Sequence, residues 1–322
     1  MHESLKRSLN NEEKNRDLII YREHLRHLYK IDNRPTRYPT YKMKFKCEEE
    51  KSPIINLKEE IKRNKQILAK SASQSRYEFD NIKTKDFELF DQNCIFTDDT
   101  VMTIAVGKAL KLWNRDGDIE MFKNILIDVM HDYGNRYDDC GFGGHFLTWI
   151  LQKRRKPYNS YGNGSAMRVS PVAWFANNLE EVKTLAKATA EITHNHPEGI
   201  KGAVSTAVAV YLARIGKSKE EIKKHITENY YKIDFTLDSI RPTYEFDVSC
   251  QGSVPQAMQS FFEDKSFEDC IRNAISIGGD SDTVAAIAGS IAEAYYGIDE
   301  DIKGTAMSFL DDFLLDELIQ VR

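Results

Sequence analysis

The residues best placed to do chemistry are acidic. Asp280 and Asp282 stand two apart in GGDSDT, residues 278–283, directly ahead of a run of small apolar residues, VAAIAGSIAEAYY. Asp98 and Asp99 stand side by side in FTDDTVMT, residues 96–103, behind Thr97 at an expected N-cap. Carboxylates in a first helical turn gain from the positive end of the helix dipole, so Asp98 and Asp99 taken alone read as plain capping. The second cluster asks for more. A helix this small and apolar packs close against its neighbours, which puts Asp280 and Asp282 at the floor of a cleft, where unpartnered carboxylates are costly. A hard divalent cation resolves that repulsion, and Asp carboxylates with the hydroxyls of Thr97 and Thr283 suit Mg²⁺ or Mn²⁺. If the clusters converge, four carboxylates and two hydroxyls are enough for two metals bridged between helix starts.

A second stretch of interest is SYGNGSAMR, residues 160–168. Gly162 and Gly164 let the chain approach an anion closely with its N–H groups exposed, although a plain loop leading into a helix has the same look. Five cysteines (Cys47, Cys94, Cys140, Cys250, Cys270) form no C-x-x-C pair, and their odd number argues against a closed disulfide framework. The close histidine pairs, His24 with His27 and His194 with His196, have no third ligand beside them, so zinc is not expected.

The elements that must position these residues are helices. Apolar periodicity predicts helical segments over about 100–113, 118–132, 179–193, 201–215, 219–229, 254–263, 266–275, 283–296 and 305–319, separated by short Gly, Asn and Pro loops. Strand signals are few. The expected fold class is all-α, a compact multi-helix body with a single core.

Of the 322 residues, 41% are hydrophobic and 30% charged, which suits one globular domain with an appended segment. No apolar run approaches the roughly 18 residues of a membrane span and the N-terminus has no signal-peptide core, so the expected location is the cytoplasm. Charge is unevenly spread. Residues 1–70 carry 18 Lys and Arg against 11 Asp and Glu, a basic extension ahead of an acidic body over 71–322 with 27 against 39. Within the extension, residues 11–31 predict an amphipathic helix, NRPTRYPTYKMKFK an extended arm, and residues 54–72 a basic helix. Basic residues interleaved with aromatics can hold single-stranded nucleic acid. Here a contact with protein, either a partner or the chain's own body, is favoured over nucleic acid.

FTDDTVMT (96–103), YGNGSAMRVSP (161–171), THNHPEG (193–199) and GGDSDT (278–283), in this order, resemble the motifs of the ADP-ribosylglycohydrolases. YEFDNIKTKDFELF (77–90) is similar to the segment that precedes the first acidic cluster in bacterial members. The resemblance implies an all-α fold and a binuclear Mg²⁺ or Mn²⁺ centre that cleaves ADP-ribose from a modified protein side chain, arginine being the expected attachment. It implies Thr97, Asp98, Asp99, Asp280, Asp282 and Thr283 as metal ligands. Asp98 and Asp282 are also expected to be catalytic, with Glu78 as the glutamate near the scissile ribose. It implies ADP-ribose contacts from Ser160, Tyr161, Gly162, Asn163, Gly164, Met167 and His194, and from the GFGGHF loop through Phe142, Gly143 and Gly144. His196 is read as structural. Members normally carry G-D-x-x-G ahead of the Y-E segment, where this chain has Lys70, Ser71 and Gln74. Members with N-terminal extensions resemble immunity proteins against ADP-ribosyltransferase toxins, which implies a toxin as partner for residues 1–70. The alternative is a binding protein that inhibits such a toxin through the arm with little hydrolysis.

Overall fold

The computed structural model describes Tyr77 and residues 80–320. Glu78, the expected helices over 11–31 and 54–72, and the arm between them lie outside the described residues. Among the described residues there are fourteen helices and no strand, so the all-α expectation holds. The nearest thing to a sheet is one antiparallel bridge between Gly162 and Ser249.

The helices are α1 Asp98–Trp113, α2 Ile119–Arg136, α3 Gly144–Leu151, α4 Gly164–Met167, α5 Ser170–Phe175, α6 Leu179–Glu191 and α7 Pro197–Arg214. They continue with α8 Lys219–Asn229, α9 Leu237–Ile240, α10 Cys250–Phe262, α11 Phe267–Ser276, α12 Ser281–Tyr296, α13 Glu300–Met307 and α14 Asp312–Gln320. Helix α12 is the axis of the body: every residue from Ser281 to Glu293 is buried, and α7, α10 and α11 pack on it. Small residues make this possible. A Cβ on Gly202 of α7 would lie 2.3 Å from Cys250 Sγ of α10, so these two helices meet at the short end of ordinary packing distances. Around this centre α1 packs on α2, and α6 on α7. None of the described helices is long and apolar enough to cross a membrane.

Most segments expected from periodicity are present, with informative differences. Helix α7 starts at Pro197, earlier than expected, because proline at a first helical position gives up an N–H that would have no intrahelical partner. Helix α10 likewise starts ahead of Pro255: Ser249 caps it by accepting from Gly252 N at 3.1 Å. The single helix expected over 305–319 is two. Asp311 accepts the N–H of Leu314 and the hydroxyl of Tyr137, and so begins a new helix where periodicity reads straight through.

Candidate active site

Helices α1 and α12 bring the acidic clusters together. Seven of the other helices are capped by a side chain that accepts from a first-turn N–H: Asp118, Asn178, His196, Ser218, Thr236, Ser249 and Ser266. The N-caps of α1 and α12, Thr97 and Asp280, make no such bond. Thr97 Oγ1 instead donates to Asp99 Oδ2 at 3.2 Å, and Asp280 Oδ2 accepts from Asn163 Nδ2 at 2.6 Å. The N-cap side chains of these two helices therefore serve the acidic cluster and Asn163 and not their own first-turn N–H groups, although Asp98 and Asp99 do lie in the first turn of α1.

The approach to each helix start is built locally. Asp98 N donates to Cys140 O at 3.0 Å, which ties the loop after α2 against the first cluster. Ahead of α12, Gly278 and Gly279 both have positive φ, +73° and +75°, a region L side chains rarely adopt. A Cβ on Gly279 would come 2.3 Å from the Tyr244 ring, so the turn is fixed by space as well as by φ. Lys83 Nζ closes it from the far side, donating to Ile277 O and Tyr244 O.

The clusters share a cleft of about 410 Å³, within the usual range for a small-molecule site. Asp98, Asp280, Asp282 and Thr283 line it directly. Asp99 lies behind them, 2% exposed, and its Oδ1 has no hydrogen-bond partner. Burial, and after it the charges of Asp282, Asp98 and Asp280, push the Asp99 carboxyl well above the usual carboxylate range. Burial raises Asp282 too, while a hydrogen bond with Asp280 works the other way. This arrangement fits a hard divalent cation: the donors are oxygens, one buried carboxylate oxygen lacks a partner, and the four charges repel unless neutralised. Among the described residues no three His, Cys, Asp or Glu side chains form a closed metal shell on their own.

The opposite wall comes from the turn before α4 and from the start of α3. Ser160, Gly162, Asn163, Gly164, Met167 and His194 line the cleft, as do Gly143 and Gly144. The turn is held by Asn163 N donating to Val248 O at 2.7 Å and Cys250 N to Tyr161 O at 2.9 Å. Two residues expected at the ligand are placed elsewhere. Phe142 packs with its ring centroid 5.2 Å from that of Phe146, and of the two only Phe146 lines the cleft. The Tyr161 ring stands half exposed, edge-on to His196 at 5.4 Å. His196 caps α7 through Glu198 N, the structural role expected of it.

Sequence reasoning missed Arg168, Tyr158, Phe246 and Val248, all at the cleft. Arg168 is 1% exposed, and burial brings its guanidinium down to about 10. In SAMRVSP it reads as a surface cation, whereas in the fold its Nη2 finds acceptors distant in the chain, Thr189 O on α6 and Thr193 Oγ1 in the turn after it. Phe246 and Val248 come from a stretch with no helical period, so no signal marked them.

The family model for ADP-ribosylglycohydrolase matches residues 57–314, starting ahead of the boundary that composition suggests at residue 70. ADP-ribosylhydrolase ARH3 of Homo sapiens is 28% identical over 268 residues, covering 64% of this chain and 72% of that protein. ADP-ribosyl-[dinitrogen reductase] glycohydrolase of Rhodospirillum rubrum is 27% identical over 224 residues, covering 67% of this chain and 73% of that protein. A solved structure described as an ADP-ribosylglycohydrolase-related protein complex superposes with a TM-score of 0.55 at 21% identity, over 82% of this chain and 98% of that one, and so shares the fold. With the fold, the ordered motifs and the family match in agreement, the chain belongs to the ADP-ribosylglycohydrolase family, a family of hydrolases.

Proposed function

We propose that this chain hydrolyses the glycosidic bond between ADP-ribose and a modified protein side chain, with arginine the preferred attachment. The observation that supports this most is the meeting of Asp98 and Asp99 with Asp280 and Asp282 at one cleft, with a buried Asp99 oxygen left unpartnered. Thr97, Asp98, Asp99, Asp280, Asp282 and Thr283 would hold two divalent cations, Mg²⁺ or Mn²⁺. When bound, such ions supply Lewis-acid stabilisation and lower the pKa of a coordinated water.

The chain's own groups account for the rest. Glycosidic cleavage passes through a state with oxocarbenium character, which the carboxylates of Asp98 and Asp282 on the cleft wall stabilise by charge. Water adds its oxygen to the anomeric carbon as the bond to the side-chain nitrogen breaks. The water gives up a proton to a carboxylate, and the departing guanidine gains one. Glu78 enters through the resemblance alone, as the glutamate near the ribose. The glycine turn at 162–164 leaves room for the rest of the nucleotide beside His194. Mass spectrometry of arginine-linked and serine-linked ADP-ribosyl peptides incubated with the protein tests the linkage. Loss of the arginine-linked mass first is expected, and exclusive loss from serine would replace that assignment.

For residues 1–70 we propose a cytoplasmic immunity role, the basic extension binding an ADP-ribosyltransferase toxin while the body reverses its modification. The excess of Lys and Arg in that segment supports it, since a cleft that takes a nucleotide favours cationic side chains. Deleting residues 1–70 is expected to abolish toxin binding and leave hydrolysis in place; unchanged toxin binding would discard the idea.

A further inference from the structure

Arg168, Thr193 and His194 form a chain of hydrogen bonds that ends inside the cleft. Arg168 Nη2 donates to Thr193 Oγ1 at 2.7 Å, and Thr193 Oγ1 lies 2.8 Å from His194 Nδ1. All three are buried, at 1%, 0% and 5% exposure. A guanidinium has only donors, so the threonine oxygen must accept from it. The hydroxyl's one hydrogen then points to the acceptor within reach, which is His194 Nδ1. An imidazole that accepts at Nδ1 carries its proton at Nε2 when neutral. Burial and the Arg168 charge hold the ring well below its usual pKa, so it is neutral at physiological pH.

Nε2 faces the glycine turn: a Cβ at Gly164 would lie 3.4 Å from it, and one at Gly162 3.5 Å. The glycines thus keep open the space in front of this N–H. We propose that Thr193 is a positioning residue, which relays Arg168 to His194 and fixes the imidazole as the Nε2–H tautomer, a neutral donor aimed at an acceptor oxygen of the ligand beside residues 162–164. The ligand half of this rests on the reading of the cleft as an ADP-ribose site, whereas the tautomer does not.

Nitrogen NMR of the full chain, ligand-free and then with ADP-ribose, tests it alongside Thr193→Val and Thr193→Ser. In the wild type, His194 is expected to show an unprotonated Nδ1 and a protonated Nε2, and Thr193→Ser keeps both that pattern and the affinity. Thr193→Val, which has no hydroxyl, is expected to lose the fixed pattern and about fivefold in ADP-ribose affinity, the scale of one neutral hydrogen bond. A proton on Nδ1 in the wild type overturns the proposal, whatever the variants do. So does a Thr193→Val protein with the wild-type pattern. Failure of the wild type to bind ADP-ribose, with the expected tautomer present, would instead count against the function assigned to the cleft and leave the relay supported.

Discussion

Asn81 Oδ1 accepts the N–H of Gly279 at 2.6 Å while its Nδ2 donates to the carbonyl of the same glycine at 3.1 Å. One side chain thereby pairs with both backbone groups of the residue before Asp280. The same Nδ2 donates to Tyr77 O at 2.8 Å, so the segment ahead of α1 is stitched to the start of α12. The stitch holds the turn that leads into Asp280.

Asn81→Ala removes all of these bonds and leaves the Gly279 groups without partners in a half-buried setting. A loss of about 1–3 kcal/mol of stability is expected, the cost of unsatisfied buried polar groups. Urea denaturation measures it. Turnover under conditions where the variant is fully folded should fall as well, because the α12 start is no longer held.

Gly279→Ala should be worse than the same change at a glycine with equal φ and free space. Gly216 has φ +79° with nothing within 4 Å of a built Cβ, while Gly279 at +75° meets the Tyr244 ring at 2.3 Å. The first change costs about 1–2 kcal/mol of backbone strain; the second adds overpacking of about 1–3 kcal/mol. Melting temperatures of the two variants, compared side by side, check the order.

His194 makes stability depend on pH in a stated direction. Its pKa is depressed well below 6.5 in the fold, so the unfolded chain binds a proton that the folded chain refuses. Stability therefore rises with pH in this window: it is fully present above the unfolded value and is lost as pH falls toward the folded one. The slope from this one group is about 1.4 kcal/mol per pH unit. Denaturation curves of the wild type and His194→Gln through that range should converge as pH falls, since His131 and His225 remain in both.

Much of this was legible in the residues. The helices follow from apolar periodicity, and the acidic clusters from the expense of placing Asp280 and Asp282 ahead of a helix that small. The turn made by Gly278 and Gly279 was not read from the residues: the fold shows their positive φ and the Tyr244 ring that leaves no room for a side chain on the second glycine. What periodicity could not supply was set by partners distant in the chain. Arg168 is buried with Thr189 and Thr193 as its acceptors, and at the cleft it is Phe146, not the neighbouring Phe142, that forms the lining. The short helices α3, α4, α5 and α9 are too brief to show a period, and α13 is parted from α14 at Asp311, which accepts from Leu314 N and from the hydroxyl of Tyr137 just past the end of α2.

The most direct test is release of ADP-ribose from arginine-modified protein by the purified full chain, with Mg²⁺, with Mn²⁺ or with EDTA, beside Asp282→Ala. Release that needs a divalent ion and falls by at least about a hundredfold in Asp282→Ala is the expected result. Release that persists in EDTA at the full rate, or that survives in Asp282→Ala, would contradict a metal-assisted hydrolase at these aspartates.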